Sequence, residues 1–440
     1  MTPSAKLSES IKTFTHRQIV NAWCMYDWGS SAFSTTIEAA VLPVFFEQVI
    51  AANLTGNQPT VYWSYTNSIA LLASAILALT LGSVADYMGN KKKLLALFAA
   101  VGIVATALMV FLTTGMVFLA LTLFFFGTIG LSASYIFYDS LLPHIADENE
   151  IDYVSSKGYA LGYLGGGILL AINIAMIMFI WKDSTWGSRL SFLTVAIWWA
   201  VFTLPLWRRV PEPPANTEGE VAGANPFLVS FRRVRQTFGE IRHYGELFKF
   251  LIAFWIYNDG IGTVIKMATI YGAEIGIGMT DLIGALLLTQ FVGIPFSLLF
   301  GKVSKKIGTK RSIMIGLGWY AILMVGGYLM SESWHFWALA VGVGMVQGGT
   351  QALSRSLFGL MAPKARSAQF FGFYDVSSKF SGIVGPAIFG LVGQLMGTSR
   401  LSIISLVVFF AAGILMLTRV NEAEGIRVAA EENAAAGLSA

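Results

Sequence analysis

Charge is what this chain has least of. Of its 440 residues only 12% are charged, about half the share usual in a soluble domain, while 55% are hydrophobic and the mean hydropathy is +0.66. An ordinary soluble enzyme is therefore excluded. Cysteine is nearly missing: Cys24 stands alone inside an apolar stretch, so no intrachain disulfide can form and a small packing role fits it. The four histidines and the one cysteine lack metal-ligand spacing, so neither a metal nor any other cofactor is expected. The phosphate-binding pattern G-x-x-x-x-G-K-[ST] is absent, which argues against direct use of ATP. No nucleophile stands with a credible base, so no catalytic residue is assigned. The first apolar run reaches about Val49, too long for a signal-peptide core and without an A-x-A cleavage site, and is expected to be retained.

What the chain has is apolar length. A spanning helix needs about 20 apolar residues, and that rule predicts helices near 18–49, 62–85, 94–113, 116–140, 157–181, 189–208, 248–272, 281–301, 312–330, 334–360, 370–396 and 400–419. The fold class is thus an all-α membrane protein with twelve transmembrane helices. Lysine and arginine orient it. With the N-terminus inside, the cytoplasmic loops and ends receive Lys91 to Lys93, Arg208, Arg209, Arg232, Arg233, Arg235, Arg242, Lys302, Lys305, Lys306, Lys310, Arg311, Lys364 and Arg366, whereas the outer loops hold only Lys182, Arg189 and Arg400. Both termini are expected in the cytoplasm of a cell with a bacterial-type inner membrane. This topology accounts for the net charge of +4 without a nucleic-acid partner.

The expected domains are a cytoplasmic segment 1–17, a six-helix bundle 18–209, a linker 210–247, a second bundle 248–420 and a polar, alanine-rich, disordered tail 421–440. In the linker, Phe227, Leu228, Phe231, Val234, Phe238 and Ile241 recur at helical spacing opposite Arg232, Arg233, Arg235 and Arg242. That pattern predicts a basic amphipathic helix on the inner membrane face, serving as connector or as docking element. The halves repeat. GSVADYMGNKKK (82–93) and GKVSKKIGTKR (301–311) share G-x-x-x-(charged)-x-x-G followed by basic residues, and Val154-Ser155-Ser156-Lys157 matches Val376-Ser377-Ser378-Lys379. The offsets are 219 and 222 residues, which predicts two pseudo-symmetric six-helix bundles in the same orientation.

Carboxylates inside a spanning helix cost roughly 3 kcal/mol each and mark polar paths. The first predicted helix carries two, Asp27 and Glu38, among small residues, and a separation of 11 residues is close to three turns, which predicts one shared face. This helix is expected to line a transport route. Tyr26, Asp27 and Trp28 have a partial counterpart in Tyr257, Asn258 and Asp259 of the seventh helix, and Lys266 lies two turns further on. These eight residues are the candidates for substrate or proton binding. Asp27 has a structural alternative, as a cap or as partner of the basic ends of helices 5 and 11. Lys266 has three readings: a site for a substrate carboxylate, a charge partner for Glu38, or a snorkelling residue near the outer surface. Lys157, Arg355, Asp375 and Lys379 stand toward inner helix ends, as gate pairs between bundles or as substrate contacts. Asp139 with Pro143 reads as a helix stop. Gly165 to Gly167, Gly382, Gly385 and Pro386 are expected to allow close approach and bending.

At Gly82, Asp86, Gly89, Lys91 and Lys92 the chain resembles the major facilitator superfamily, whose loop between helices 2 and 3 reads G-x-x-x-D-x-x-G-x-[KR]-[KR]; Asn90 departs mildly from it. The resemblance implies the major facilitator fold, and a cytoplasmic gate in which Asp86 pairs with basic residues and helix ends of the neighbouring bundle. A narrower similarity runs through WCMYDWGSSAFSTT (23–36), YDSLLPHIA (138–146), RSLFGLMAP (355–363) and FFGFYDVSSKFSGIVGP (370–386): the chain resembles the vacuolar-effluxer-like group, with its autophagy-linked amino-acid effluxers and bacterial permeases. For fungal members this implies export of neutral amino acids; for bacterial ones it implies little about substrate. The expectation is a secondary transporter in the lipid bilayer, monomeric, moving a small solute by alternating access with proton coupling. A drug or metabolite exporter with a roomy apolar pocket is the first alternative. A non-transporting receptor or scaffold is the second, and for it an appended soluble domain would be expected.

Overall fold

The computed structural model describes residues 14–54, 58–182, 184–215, 226–239, 243–274, 277, 279–382, 384–396 and 399–437. Among them every regular element is helical. Helix α1, His16–Ala32, opens on a capping box between Thr15 and Gln18 and runs on through a π-helical stretch, Phe33–Ala40, to a second one, Phe46–Ile50. The first bundle continues with α2 (Gln58–Met88), α3 (Lys91–Leu108), α4 (Val117–Ser140), α5 (Ile151–Ala175) and α6 (Trp186–Arg209). A short helix α7 (Pro226–Gly239) leads to the second bundle: α8 (Gly245–Glu274), α9 (Met279–Ile307), α10 (Thr309–Tyr328), α11 (Ser333–Met361), the pair α12 (Ser367–Phe380) and α13 (Val384–Met396), and the pair α14 (Ser399–Ser405) and α15 (Val407–Thr418). Helix α16 (Glu422–Ala435) follows.

Ten of the described helical runs are long and apolar enough to cross a bilayer. The other two expected crossings, α10 and α11, are helices of 20 and 29 residues that carry more polarity. Lys310 and Arg311 open α10, and Gln347, Thr350, Gln351, Ser354 and Arg355 lie along α11. A polar helix within a membrane bundle must face protein or water, and α11 is the one that carries the buried arginine discussed below.

Two hydrophobic cores sit side by side, one built almost wholly from residues 20–210 and the other from 244–420. Their packing repeats. In the first bundle α1 packs on α5 and α6, α3 on α4 and α6, and α2 on α4; in the second, α8 packs on α12 and α15, α10 on α11 and α15, and α9 on α11. Across the divide α2 meets α12 and α5 meets α9 and α11.

Three expectations need correction. The tail forms α16, because Asn421 caps its N-terminus by accepting from the Glu424 N–H and Glu432 accepts from the Tyr244 hydroxyl at 2.5 Å, so polar composition here reflects a docked surface helix. The π geometry of Phe33–Ala40 adds a residue to each turn, so three α-helical turns no longer place Glu38 in phase with Asp27. In α7, Leu228 and Phe231 are exposed together with Arg232 and Arg235, while Val229 and Arg233 are buried. The arginine facing inward lies over the Tyr87 ring, 5.5 Å from its centroid. Ile241 and Arg242, and the side chains of Phe227, Val234 and Phe238, lie outside the described residues.

Candidate functional site

Arg355 of α11 is 1% exposed and stands at the boundary between the bundles. Among the described residues, all its hydrogen-bond partners come from the other half of the chain. One terminal nitrogen donates to Asp139 at 3.0 Å and reaches Asp27 at 3.4 Å; the other donates to the Ser155 carbonyl, and the ε nitrogen to the Ser155 hydroxyl, both at 2.9 Å. Three rings enclose the guanidinium: Tyr159 at 4.5 Å, Trp23 at 4.9 Å and Tyr138 at 5.6 Å. Asp27 in turn accepts from the Tyr135 hydroxyl at 2.9 Å and the Tyr138 hydroxyl at 2.8 Å. The Trp23 ring stacks on Tyr138 and donates its indole N–H to the Tyr138 carbonyl at 2.9 Å.

The geometry follows from helical spacing. Tyr135, Tyr138 and Asp139 lie three and four residues apart on α4 and so share a face, and Asp27 on α1 projects onto that face. A Cβ on Gly158 would stand 2.7 Å from the Asp27 carboxylate and 3.0 Å from the Arg355 guanidinium, so only glycine lets α5 pass so close. Two carboxylates thus face one buried cation. Burying ions is tolerated when they are paired and hydrogen-bonded.

The expected partners of Asp27, the basic ends of helices 5 and 11, are elsewhere. Lys157 donates to Asn21 at 2.5 Å within the first bundle, and Lys379 pairs with Asp375 one turn back on α12, at 2.7 Å. Neither lysine bridges the bundles; Arg355 does. Tyr26 and Tyr257 are matched structural pins: the first donates to Ser134 of α4 at 2.5 Å, the second lies 2.6 Å from Ser354 of α11. Asn258 donates to Ser381 at 2.6 Å, and Asp259 is buried where α13 crosses α8 at Gly385. Trp28 turns away from the cluster, stacking on Trp198 against the backbone of Gly165. Glu38 is half-buried in the π-helical stretch, away from the Asp27 hydrogen bonds. The side chain of Lys266 lies outside the described residues. Asp139 was legible only as a helix stop because Pro143 follows it; the i, i+3, i+4 run of Tyr135, Tyr138 and Asp139 was the available signal.

At the lysine-rich end, Asp86 is fully buried and pairs with Lys91 at 2.8 Å. It also accepts the Gln369 and Ala368 backbone N–H groups at 2.7 and 3.2 Å, so a carboxylate of the first bundle caps the N-terminus of α12 in the second. Lys91 further donates to Ser367 at 2.6 Å and lies 3.1 Å from His144. Gly82 makes the approach possible: a Cβ there would come 2.3 Å from the Ala368 carbonyl oxygen. Gly89 takes a positive φ of 61° where the chain turns from α2 into α3. The backbone N–H of Lys92 donates to both carboxylate oxygens of Glu212 at 3.1 Å, and burial raises that carboxyl above its ordinary pKa.

Sequence and shape comparisons agree with this architecture. Residues 15–430 match the family model described as vacuole effluxer Atg22 like. The chain belongs to the Atg22-like effluxer family. It is 36% identical over 431 residues to the MFS-type transporter YxiO of Bacillus subtilis, covering 96% of this chain and 99% of that one. It is 25% identical over 410 residues to autophagy-related protein 22 of Pyricularia oryzae, covering 74% of this chain and 60% of that protein. Its fold matches the human organic anion transporter MFSD10 (TM-score 0.68, 11% identity, 92% and 100% coverage) and the proton:xylose symporter XylE (TM-score 0.67, 15% identity, 92% and 94% coverage). This Atg22-like chain is therefore a major facilitator transporter and not an enzyme.

Proposed function

We propose that the protein is a proton-coupled exporter of a neutral amino acid or a closely related zwitterion. It works as a monomer in the cytoplasmic membrane with both termini in the cytoplasm. One observation carries this reading: a buried arginine of one bundle is held by two carboxylates of the other, with one negative charge in excess. Rocking of the bundles must loosen those bonds, because every hydrogen-bond partner of Arg355 among the described residues belongs to the opposite half. A zwitterion fits the arrangement in both senses, its ammonium answering Asp27 or Asp139 and its carboxylate answering Arg355. The carboxylate that the single guanidinium leaves unbalanced supplies the coupling group. The lysine and arginine distribution supports the orientation, and the sequence resemblance to amino-acid effluxers supports the substrate class.

The test is proton movement in proteoliposomes holding a pH dye, screened against neutral amino acids, dipeptides and sugars. A response to neutral amino acids that vanishes in both Asp27→Asn and Asp139→Asn, with unchanged thermal melting, supports the reading. Full gradient-driven accumulation in both variants overturns the proton role, and a response to sugars alone overturns the substrate class.

A further inference from the structure

The contact at the lysine-rich end holds a titratable group that the pairing of Asp86 does not explain. His144 stands in the short helical turn Leu142–Ile145 that follows α4, half-buried at this end of the first bundle. Its Nε2 lies 3.1 Å from the Lys91 ammonium and 3.1 Å from the Ser367 hydroxyl, and Lys91 itself donates to that hydroxyl at 2.6 Å. Ser367 opens α12 of the second bundle, so His144 and Lys91 hold the same residue across the divide. An ammonium has hydrogens to give and no lone pair. The ring nitrogen facing Lys91 therefore accepts, and an imidazole that accepts at Nε2 is the neutral form. A backbone hydrogen bond with Lys364 also holds the ring, and the charges of Lys91 and Lys364 both bear on it. Asp86, 1% exposed, is already engaged by Lys91 and by the N–H groups of Ala368 and Gln369, while Asp147 and Glu148 answer Lys364. A proton added to the ring would set two cations 3.1 Å apart, and Asp86 can balance only one of them.

We propose that His144 is a proton site that unlocks this contact: the imidazolium cannot accept from Lys91, is driven off Ser367, and frees the start of α12 from the first bundle. The neutral ring belongs to the shut state. Opening returns the imidazole to its ordinary range near about pH 6.5, so opening takes up a proton and is favoured as pH falls through that range. Well above it the contact is indifferent to pH. In the orientation proposed above, acid in the cytoplasm unlocks the cytoplasmic side. This control is separate from any proton carried at Asp27 or Asp139.

The experiment uses the full chain purified in detergent, where both faces meet one pH and neither orientation nor substrate enters. Ser83→Cys in the Cys24→Ser background reports the contact by maleimide labelling between about pH 8 and about pH 5.5, on either side of the imidazole range. Each rate is divided by that of the same cysteine in Asp86→Ala, whose contact is open throughout, so the thiol's own titration cancels. The ratio should rise about tenfold as pH falls, since one coupled proton moves an equilibrium by at most about tenfold per pH unit. His144→Gln, which offers Lys91 an amide oxygen and takes no proton, should hold the alkaline ratio throughout. His144→Lys, a fixed cation, should hold the acid ratio throughout. A flat profile in the parent overturns the proposal by itself. So does an acid rise that survives in His144→Gln, which would assign the proton to another group, or a His144→Lys chain that melts like the parent and labels slowly at every pH. Absence of proton movement in vesicles with this profile intact would strike the coupling reading and leave the His144 site standing.

Discussion

The two halves close against each other at two places related by the internal repeat, and they do it with opposite chemistry. At the first, Asp86 comes from the last turn of α2 in one bundle and caps the helix of the other. At the second, Lys305 occupies the position of Asp86, and a cation cannot cap a helix N-terminus. Lys305 lies instead over the Tyr153 ring at 5.9 Å, and the acid moves to the other partner: Asp152, in the first turn of α5, accepts from Thr309 of α10 at 2.6 Å and from Ser356 of α11. The repeated glycines differ in the same way. Gly82 faces backbone, whereas a Cβ on Gly301 would meet the Ser156 side chain at 2.7 Å. Gene-level symmetry therefore sets where the bundles touch, and a change of charge at one position decides how tightly. The first contact is an ion pair plus a helix cap; the second is a pair of hydroxyl bonds.

Experiments can break or sharpen this contrast, with Ser83→Cys and Ser304→Cys in the Cys24→Ser background reporting the first and second contacts by labelling rate. The largest effect is expected from Asp86→Ala. It strands the buried Lys91 and two backbone N–H groups, a loss of about 3–5 kcal/mol, and labelling at position 83 should rise roughly hundredfold or reach the open-state rate. Pairing Asp86→Asn with Lys91→Met should recover most of that loss, because removing both ions removes the unpaired charge. Next comes Gly82→Ala, where overpacking against backbone costs about 1–3 kcal/mol. Gly301→Ala should cost somewhat less, since its nearest approaches are 2.7 Å to the Ser156 hydroxyl and 2.8 Å to the Ser156 Cβ against 2.3 Å to backbone at Gly82; equal effects would erase the asymmetry. Asp152→Asn keeps one acceptor and replaces the other oxygen with an N–H donor, so one of the two hydroxyls must turn to accept; it should cost about 1 kcal/mol, visible at position 304 and absent at position 83. Smallest is Arg427→Ala on α16, which removes exposed contacts to Glu424 and Glu431 and should leave labelling and melting unchanged.

The same contrast shows what local pattern can and cannot carry. Apolar length and the glycine-bracketed repeats revealed the helices and their two-bundle arrangement, because both are properties of neighbouring residues. Asp86 was legible for the same reason. The Asp27–Arg355 contact joins residues 328 positions apart, and nothing in either local sequence names the other. Arg355 reads in the sequence as a gate pair or a substrate contact near an inner helix end, with nothing to choose between them; Asp139 is hidden behind the ordinary meaning of a nearby proline. The π-helical part of α1 defeated a phase argument that was sound for α geometry, since hydrogen-bond period is not written in composition. Tyr26 and Tyr257, counterparts in the sequence repeat, each tie a helix of their own bundle to a neighbour.

The rings around Arg355 bear on how the molecule moves. A hydrogen bond fixes direction and fails when its axis tilts, but the attraction of a cation to an aromatic face is broad and varies slowly with position. With Trp23, Tyr138 and Tyr159 surrounding it, the guanidinium can slide several tenths of an ångström while its charge stays solvated by the same three surfaces. The contact is then less a bolt between the bundles than a lubricated bearing.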